Sequence, residues 1–309
     1  MAIANANADA EAAAGSVNEP GRARHIVSEY IALTKPGILT LLIATELGGM
    51  LVAVAGMPPI TLVLAALLGG LLAAGGANAL NCYIDRDIDS LMTRTKKRGT
   101  VTGVISPNAA LIFGLSVSAT GVLILGIGAN WLAAGLALLG NVYYVLVYTL
   151  LLKRRTPQNI VIGGAAGAMP PVVGWAAATG HVGVAAIVLF AIIYYWTPPH
   201  FWALALLKQG DYGRAAIPML PVVAGEAETR KQIVIYTTIL FAVSLLLIPF
   251  GFGEIYLAGA LLSNGLFLLM GLRLYTSPSK QYARQLFFYS LWYLVIIFGA
   301  MVADRLILA

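Results

Sequence analysis

Charge is scarce in this chain. Asp, Glu, Lys and Arg make up 10% of its 309 residues, where soluble domains carry about 25%. Sixty per cent of the residues are hydrophobic, and the mean hydropathy is +0.86. This balance excludes an ordinary soluble domain and reads as an integral membrane protein. Cysteine is nearly absent. Cys82 stands alone, so neither an intrachain disulfide nor a cysteine-ligated metal is available, and Cys82 reads as a small helix residue. Strand-like alternation is missing too. The apolar runs are continuous and near the ~20 residues that cross a bilayer. Helices satisfy their own backbone at that depth, so they are expected rather than a β-barrel. The first twenty or so residues have no apolar core, which excludes a signal peptide, and Asp9, Glu11 and Glu19 argue against a mitochondrial presequence. Residues 1–28 are expected as a disordered tail, residues 29–309 as one transmembrane domain, and a bacterial inner membrane as the location.

Nine apolar runs predict nine spans, near residues 38–56, 59–80, 108–127, 131–152, 158–179, 183–207, 232–250, 254–272 and 286–304. The fold class is therefore all-α, a polytopic helical bundle. Glu29 to Lys35 is expected as a short interfacial helix, and Pro36 suits the first turn of the span it opens. Eighteen of the nineteen Lys and Arg fall on one side of this arrangement, and Arg305 alone falls on the other. The positive-inside rule makes the rich side cytoplasmic, with the N-terminus inside and the C-terminus outside. The net charge of +6 is thus a signal of topology, and no nucleic-acid partner is implied. Links on the poor side are short, for example Gly128-Ala129-Asn130, which leaves the long charged loops of the rich side for function.

The sequence Asn81-Cys82-Tyr83-Ile84-Asp85-Arg86-Asp87-Ile88-Asp89 ends the second run and leads into Arg94, Lys96, Lys97 and Arg98. If the helix continues, Asn81, Asp85 and Asp89 recur every four residues, drift by only roughly 80° and share one face. Asp87 lies about 200° on from Asp85 and should point elsewhere. A solvated helix end is the plain alternative for one acid. Three oxygen-bearing side chains in phase, beside a basic cluster, suit Mg²⁺ and a phosphate ester, because Mg²⁺ takes one or two carboxylates together with phosphate oxygens and water. A weak internal repeat adds to this. Thr34-Lys35-Pro36 opens span 1 and Thr156-Pro157 opens span 5, while acids follow span 2 and, at Asp211, span 6. A shift of four helices relates both pairs, and such repeats place sites between halves.

A second constellation is Trp196-Thr197-Pro198-Pro199-His200-Phe201-Trp202 in span 6. Two prolines inside a span are expected to kink or break it. An ionisable residue at membrane depth, such as His200, reads as functional, against the alternative of a satisfied core histidine.

At these residues the chain resembles the UbiA-type intramembrane prenyltransferases. The Asn81, Asp85, Asp89 spacing with Arg94 and Arg98 is similar to their first aspartate-rich motif. Three stretches resemble, more narrowly, the branch that farnesylates haem: Tyr148-Thr149 through Lys153-Arg154-Arg155-Thr156-Pro157-Gln158-Asn159, then Gly163 to Trp175 with Met169-Pro170-Pro171, then Tyr195 to Trp202. The resemblance implies transfer of the farnesyl group of farnesyl diphosphate to a vinyl group of haem B, with water, to give haem O. It implies Mg²⁺ on Asn81, Asp85 and Asp89, with Asp211 as the second acidic site. It implies Arg94, Lys97, Arg98, Tyr148, Lys153 and Lys208 on the diphosphate, and His200 with Trp202 at the haem. A haem A synthase is a candidate partner in the bilayer. One departure stands out. Where the superfamily often has a second Asp four residues before Asp211, this chain has Leu207, which puts a second fully ligated Mg²⁺ in doubt.

Two other classes are set against this reading. An aromatic acceptor, such as a quinone precursor, would not need His200. A transporter would bury its acids at mid-membrane, whereas the key acids here lie at the cytoplasmic end. Glu46 is the exception. It lies inside span 1 without a matching cation and reads as a protonated or water-lined carboxyl. His181 reads as solvated, and the basic stretch 273–284 as lipid-facing.

Overall fold

The structure is a computed structural model, and it describes residues 19–308. Nine helices among them are long and apolar enough to cross a membrane: Pro36–Val54, Ile60–Ile84, Pro107–Gly128, Trp131–Leu152, Asn159–Thr179, Val184–Leu207, Gly225–Phe250, Glu254–Thr276 and Lys280–Ile307. Each covers one expected run. The seventh and ninth start about two turns earlier than expected, because Glu226, Glu228, Arg230 and Lys231, and likewise Lys280 and Arg284, continue their helices outward. A search for apolar runs stops at the first charges, but a helix does not.

Within the spans the elements are α2 (Pro36–Val54), α3 (Ile60–Ile84), α6 (Pro107–Gly128), α7 (Trp131–Val142, continued as a π-helix over Tyr143–Leu152), α8 (Asn159–Gly167) with α9 (Met169–Thr179), α10 (Val184–Leu207), α13 (Gly225–Leu245), α14 (Glu254–Thr276) and α15 (Lys280–Ile307). Five shorter helices lie at one end: α1 (Glu19–Leu33), α4 (Arg86–Leu91), α5 (Gly99–Thr102), α11 (Gln209–Arg214) and α12 (Leu220–Val223). Helix α1 corrects the tail expected over residues 1–28. Residues 19–28 continue a helix that Ile26, Tyr30 and Leu33 turn to the bundle as an apolar stripe, with Leu33 buried and the Tyr30 ring tilted against Phe113 at 4.9 Å. The rest of that tail lies outside the described residues.

Neighbours in sequence pack as neighbours around the bundle, and α15 returns to α2. The tightest seam joins α3 to α6. Along it Gly69, Ala73 and Gly76 face Gly114, Ser118 and Gly121, and a Cβ on Gly121 would run into the backbone of Gly69 and Ala73. Small residues let the two backbones touch, as membrane helices without a hydrophobic drive require. Asn141 Nδ2 on α7 fastens the seam by donating to the Ala73 carbonyl at 2.9 Å and to Ser118 Oγ at 3.3 Å. At the far end, buried Asp304 caps α14, accepting from the backbone of Gly253 at 2.7 Å and of Tyr256 at 3.0 Å.

The break expected in span 6 is not there. Helix α10 runs unbroken through Pro198 and Pro199. Span 5 breaks instead, between α8 and α9 at Ala168, where Pro170 and Pro171 occupy the first turn of a new helix.

Candidate active site

The acid motif sits where α3 gives way to α4. The long helix stops at Ile84, and Asp85 takes φ −87° and ψ 3°. The backbone bonds Asp85 N to Asn81 O at 2.9 Å and Asp89 N to Asp85 O at 2.8 Å nonetheless carry the four-residue step across the junction. Asn81, Asp85 and Asp89 are all buried on one side, while the Asp87 side chain is 60% exposed. The expected sharing of a face, and the departure of Asp87 from it, are both found.

Each acid has its own cation. Asp85 accepts from Asn81 Nδ2 at 2.7 Å and from Lys153 Nζ. Its other oxygen, Oδ1, has no hydrogen-bond partner, with Arg154 at 3.6 Å. Asp89 is paired with Arg98, and Thr95 donates to the Asp89 carbonyl at 2.8 Å. Asp211, in the first turn of α11, accepts from Arg214 and from Thr93 Oγ1 at 3.1 Å. The contact from Thr93 joins the loop after span 2 to the short helix after span 6, so the two repeats meet. No set of three His, Cys, Asp or Glu side chains among the described residues stands close enough to hold a metal by itself. Mg²⁺ does not need one, since it completes its shell with phosphate and water. The orphaned, buried Asp85 Oδ1 is the atom that such an ion would satisfy.

Of the residues expected on the diphosphate, Arg98 and Lys153 are therefore in the cluster. Tyr148 is half-buried and stacks 5.5 Å from Tyr144. Arg94 lies over the ring of Tyr212 at 5.9 Å, next to Asp211. Lys97 and Lys208 are exposed at the same end.

Four participants, Lys35, Tyr144, Thr149 and Arg154, are given no site role by the motifs. Lys35 Nζ donates to Asn81 Oδ1 at 2.6 Å and lies 3.4 Å from the Tyr144 hydroxyl. Its backbone is left-handed, φ 56° and ψ 65°, which turns the chain from α1 into α2. Burial pushes its ammonium below the usual lysine pKa. Thr149 receives a bond from Asn81 Nδ2 at 3.1 Å and donates to the Tyr144 carbonyl at 2.8 Å. That last bond spans five residues, which only the π-helical winding of Tyr143–Leu152 allows, and such windings concentrate at functional sites. Arg154 holds Asp87 through two bonds, 2.6 and 2.7 Å, and its hydrogen bond keeps the Asp87 carboxyl below the usual range. A groove of about 440 Å³ opens here, lined by Asp87, Thr149 and Arg154 among others. The sequence signal for Lys35 was its place just before Pro36. For Thr149 and Arg154 it was their place in the stretch from Tyr148 to Asn159, and for Tyr144 there was none.

Residues 41–294 match the UbiA prenyltransferase family. The chain belongs to the UbiA prenyltransferase family. Curated relatives named protoheme IX farnesyltransferase agree with this. The one from Chloroflexus aurantiacus is 52% identical over 97% of this chain and 51% of its own length. One from Thermus thermophilus is 51% identical over 90% and 46%. One from Methylorubrum extorquens is 48% identical over 90% and 89%. The chain thus spans about half the length of the first two and nearly all of the third. Among solved structures, a digeranylgeranylglyceryl phosphate synthase matches with TM-score 0.75 at 18% identity, covering 91% of this chain and 99% of that one. A UbiA homolog from Archaeoglobus fulgidus, bound to GPP and Mg²⁺, matches with TM-score 0.63 at 16% identity, covering 88% and 99%. At these identities the likeness is one of fold.

In this UbiA family member, His200 lies in α10 among aromatic rings. Trp196 stacks at 4.5 Å on one face and Phe287 at 4.8 Å on the other, with Phe201 edge-on at 5.2 Å. Its Nδ1 is 2.6 Å from Ser290 Oγ. Ser290 donates its one hydroxyl hydrogen to the Phe287 carbonyl at 2.6 Å, so its oxygen accepts from His200 Nδ1–H. In the neutral ring Nε2 is then a free acceptor. Trp202 points the other way. It is buried, edge-on to Tyr236 at 5.1 Å, and its indole N–H has no partner. The structure does not bring His200 and Trp202 together.

Proposed function

We propose that the chain transfers the farnesyl group of farnesyl diphosphate to a vinyl group of haem B, giving haem O and diphosphate. The observation that carries this reading is the near 50% identity to proteins named protoheme IX farnesyltransferase over almost the whole chain. The buried acid and cation cluster supplies the chemistry it needs. The proposed arrangement is a single nine-helix domain in a bacterial inner membrane, with the N-terminus and the site facing the cytoplasm and the C-terminus outside.

Asn81, Asp85, Asp89 and Asp211 would hold Mg²⁺. When bound, that ion supplies charge stabilisation on the leaving diphosphate. The remaining work falls to the chain. Arg98, Lys153 and Arg214 neutralise the carboxylates without substrate and are placed to turn to diphosphate oxygens, together with Lys35, Arg94, Lys97, Tyr148 and Lys208. Cations fixed in a low-dielectric site act strongly on charge developing at the leaving group. The buried bundle keeps water from the allylic cation until the new carbon–carbon bond to the vinyl group has formed. Water then adds to the neighbouring carbon and loses one proton, which leaves a hydroxyl there. His200 would meet haem through Nε2, its tautomer set by Ser290, as the second partner of a ligating histidine does. Trp202 would act on the haem site only through packing. A haem A synthase is the partner expected to take the product.

The test incubates purified protein with haem B, farnesyl diphosphate and Mg²⁺, and separates the haems by chromatography and mass. A haem heavier by one hydroxyfarnesyl unit, absent with Asp85→Ala, is expected. An unchanged haem, with prenylation of an aromatic acid instead, would overturn the choice of acceptor.

A further inference from the structure

Glu46 takes no part in the cluster described above. It lies in the middle of α2, 3% exposed, with Oε1 free of any hydrogen-bond partner. Its carboxyl lies directly over Gly70 of α3, where a Cβ would come within 2.7 Å of the Glu46 carboxyl carbon. At the same depth α9 leans on α2, with Gly49 against the Pro171 backbone and Gly174 against the Glu46 carbonyl. The helix backbones therefore close on one another there, and the Glu46 carboxyl stands at the closure.

Gly70 is eleven residues before Asn81 on the same helix, three turns and about 20°, so the two share a face. Between them that face carries only Ala77 and Ala74. Ala77 is buried and Ala74 and Gly70 are half-buried, whereas Leu64 and Leu68 mark the outer side of α3. The carboxyl thus lies about 16 Å below Asn81 along a lane of small apolar residues, at a rise of about 1.5 Å per residue. A farnesyl chain extends to about 14 Å and a geranylgeranyl chain to about 19 Å at ordinary carbon–carbon bond lengths.

We propose that Glu46 is the floor of the isoprenoid site and selects a farnesyl chain against a longer one, a proposal that rests on the prenyl-transfer reading above. A diphosphate held at Asn81 and Asp85 sends its tail down the face of Ala77, Ala74 and Gly70. Three isoprene units fill the lane. A fourth would need the space of the carboxyl, which Gly70 and the α9 backbone prevent from moving aside, and would cover a polar group that already lacks a partner. Glycine at position 70 is the counterpart of the large residue at 46, since any side chain there would displace it.

The test measures dissociation constants of geranyl, farnesyl and geranylgeranyl diphosphates, each with Mg²⁺, for wild type, Glu46→Ala, Glu46→Gln and Ala74→Leu in detergent. Apolar pockets discriminate one methylene by about 10–200-fold, so wild type is expected to bind farnesyl at least about tenfold more tightly than geranylgeranyl diphosphate. Glu46→Ala should bring the two within about threefold, and Glu46→Gln, equal in size and still polar, should keep the wild-type order. Ala74→Leu raises the floor to about 10 Å below Asn81 and should favour geranyl diphosphate. Equal affinities in wild type, no change of ratio in Glu46→Ala together with no shift in Ala74→Leu, or the same change in Glu46→Gln as in Glu46→Ala, would overturn the proposal. Absence of any prenyl diphosphate binding would remove both this inference and the reading beneath it. Selective binding without haem turnover would leave the floor standing and remove only the choice of acceptor.

Discussion

Lys35 and Asn81 are tied across two helices, Nζ to Oδ1 at 2.6 Å. The bond is unusual because each side chain has a second task. Asn81 also donates to Asp85, and Lys35 sits in a left-handed turn that only a constrained entry to α2 sustains. On the proposed reading, a cation bonded to Asn81 would serve the diphosphate site. Lys35→Met should lower kcat/KM for farnesyl diphosphate by about 10–100-fold, as loss of a hydrogen bond to a charged group costs about 1.5–3 kcal/mol. Haem binding should stay as in wild type. An unchanged kcat/KM would make Lys35 a purely structural tie.

Asp85 is the most buried acid of the cluster, and its Oδ1 has no hydrogen-bond partner. Asp85→Asn keeps the shape and the contact with Lys153 but removes a charge, so it should fold and lose about 10²–10³-fold in kcat. Chelation of divalent metal should stop turnover in wild type, and added Mg²⁺ should restore it. Asp85→Ala should also lower the melting temperature, because Lys153 is left without its partner. Full activity in the presence of chelator would end the metal assignment.

Much of this could be read from the residues. The nine spans follow from apolar runs, and the shared face of Asn81, Asp85 and Asp89 from a step of four. Asp211 followed from the repeat. What could not be read depends on winding and on contacts distant in sequence. The π-helical stretch that aims Thr149 at Asn81 leaves no composition signal. Pro198 and Pro199 predicted a break that α10 does not have, whereas the break in span 5 falls at Ala168, just before an equally plain Pro-Pro pair. Lys35 looked like one of eighteen topology charges until the turn before Pro36 was seen to bury it. Residues 19–28 were read as tail because they have no apolar core of their own, whereas their helix continues into Tyr30 and Leu33, which pack against the bundle.

Gly121 tests the seam that holds the site helix in place. A Cβ there meets the backbone of Gly69 and Ala73, which cannot rotate away. Gly121→Leu should cost about 1–3 kcal/mol or more through overpacking, and should lower the melting temperature in detergent. Gly135, whose Cβ would meet nothing within 4 Å, provides the control, and Gly135→Leu should melt as wild type. Equal melting of the two variants would mean that the α3–α6 contact does not limit stability.

Ser290 decides which nitrogen of His200 carries the hydrogen. Its hydroxyl hydrogen is committed to the Phe287 carbonyl, so the ring donates from Nδ1 and leaves Nε2 as a lone pair. With both ring faces stacked, that nitrogen is where the proposed haem contact would form. Ser290→Ala removes the acceptor and frees the tautomer without changing the aromatic stack. Loss of such a second partner costs about 10–100-fold in metal affinity, so haem affinity should fall by that order, with a shifted Soret band. Farnesyl diphosphate affinity should not move. His200→Phe should fill the stack, preserve the melting temperature and remove the haem signature. Normal haem binding in both variants would assign His200 to the core, and leave the haem contact to another residue.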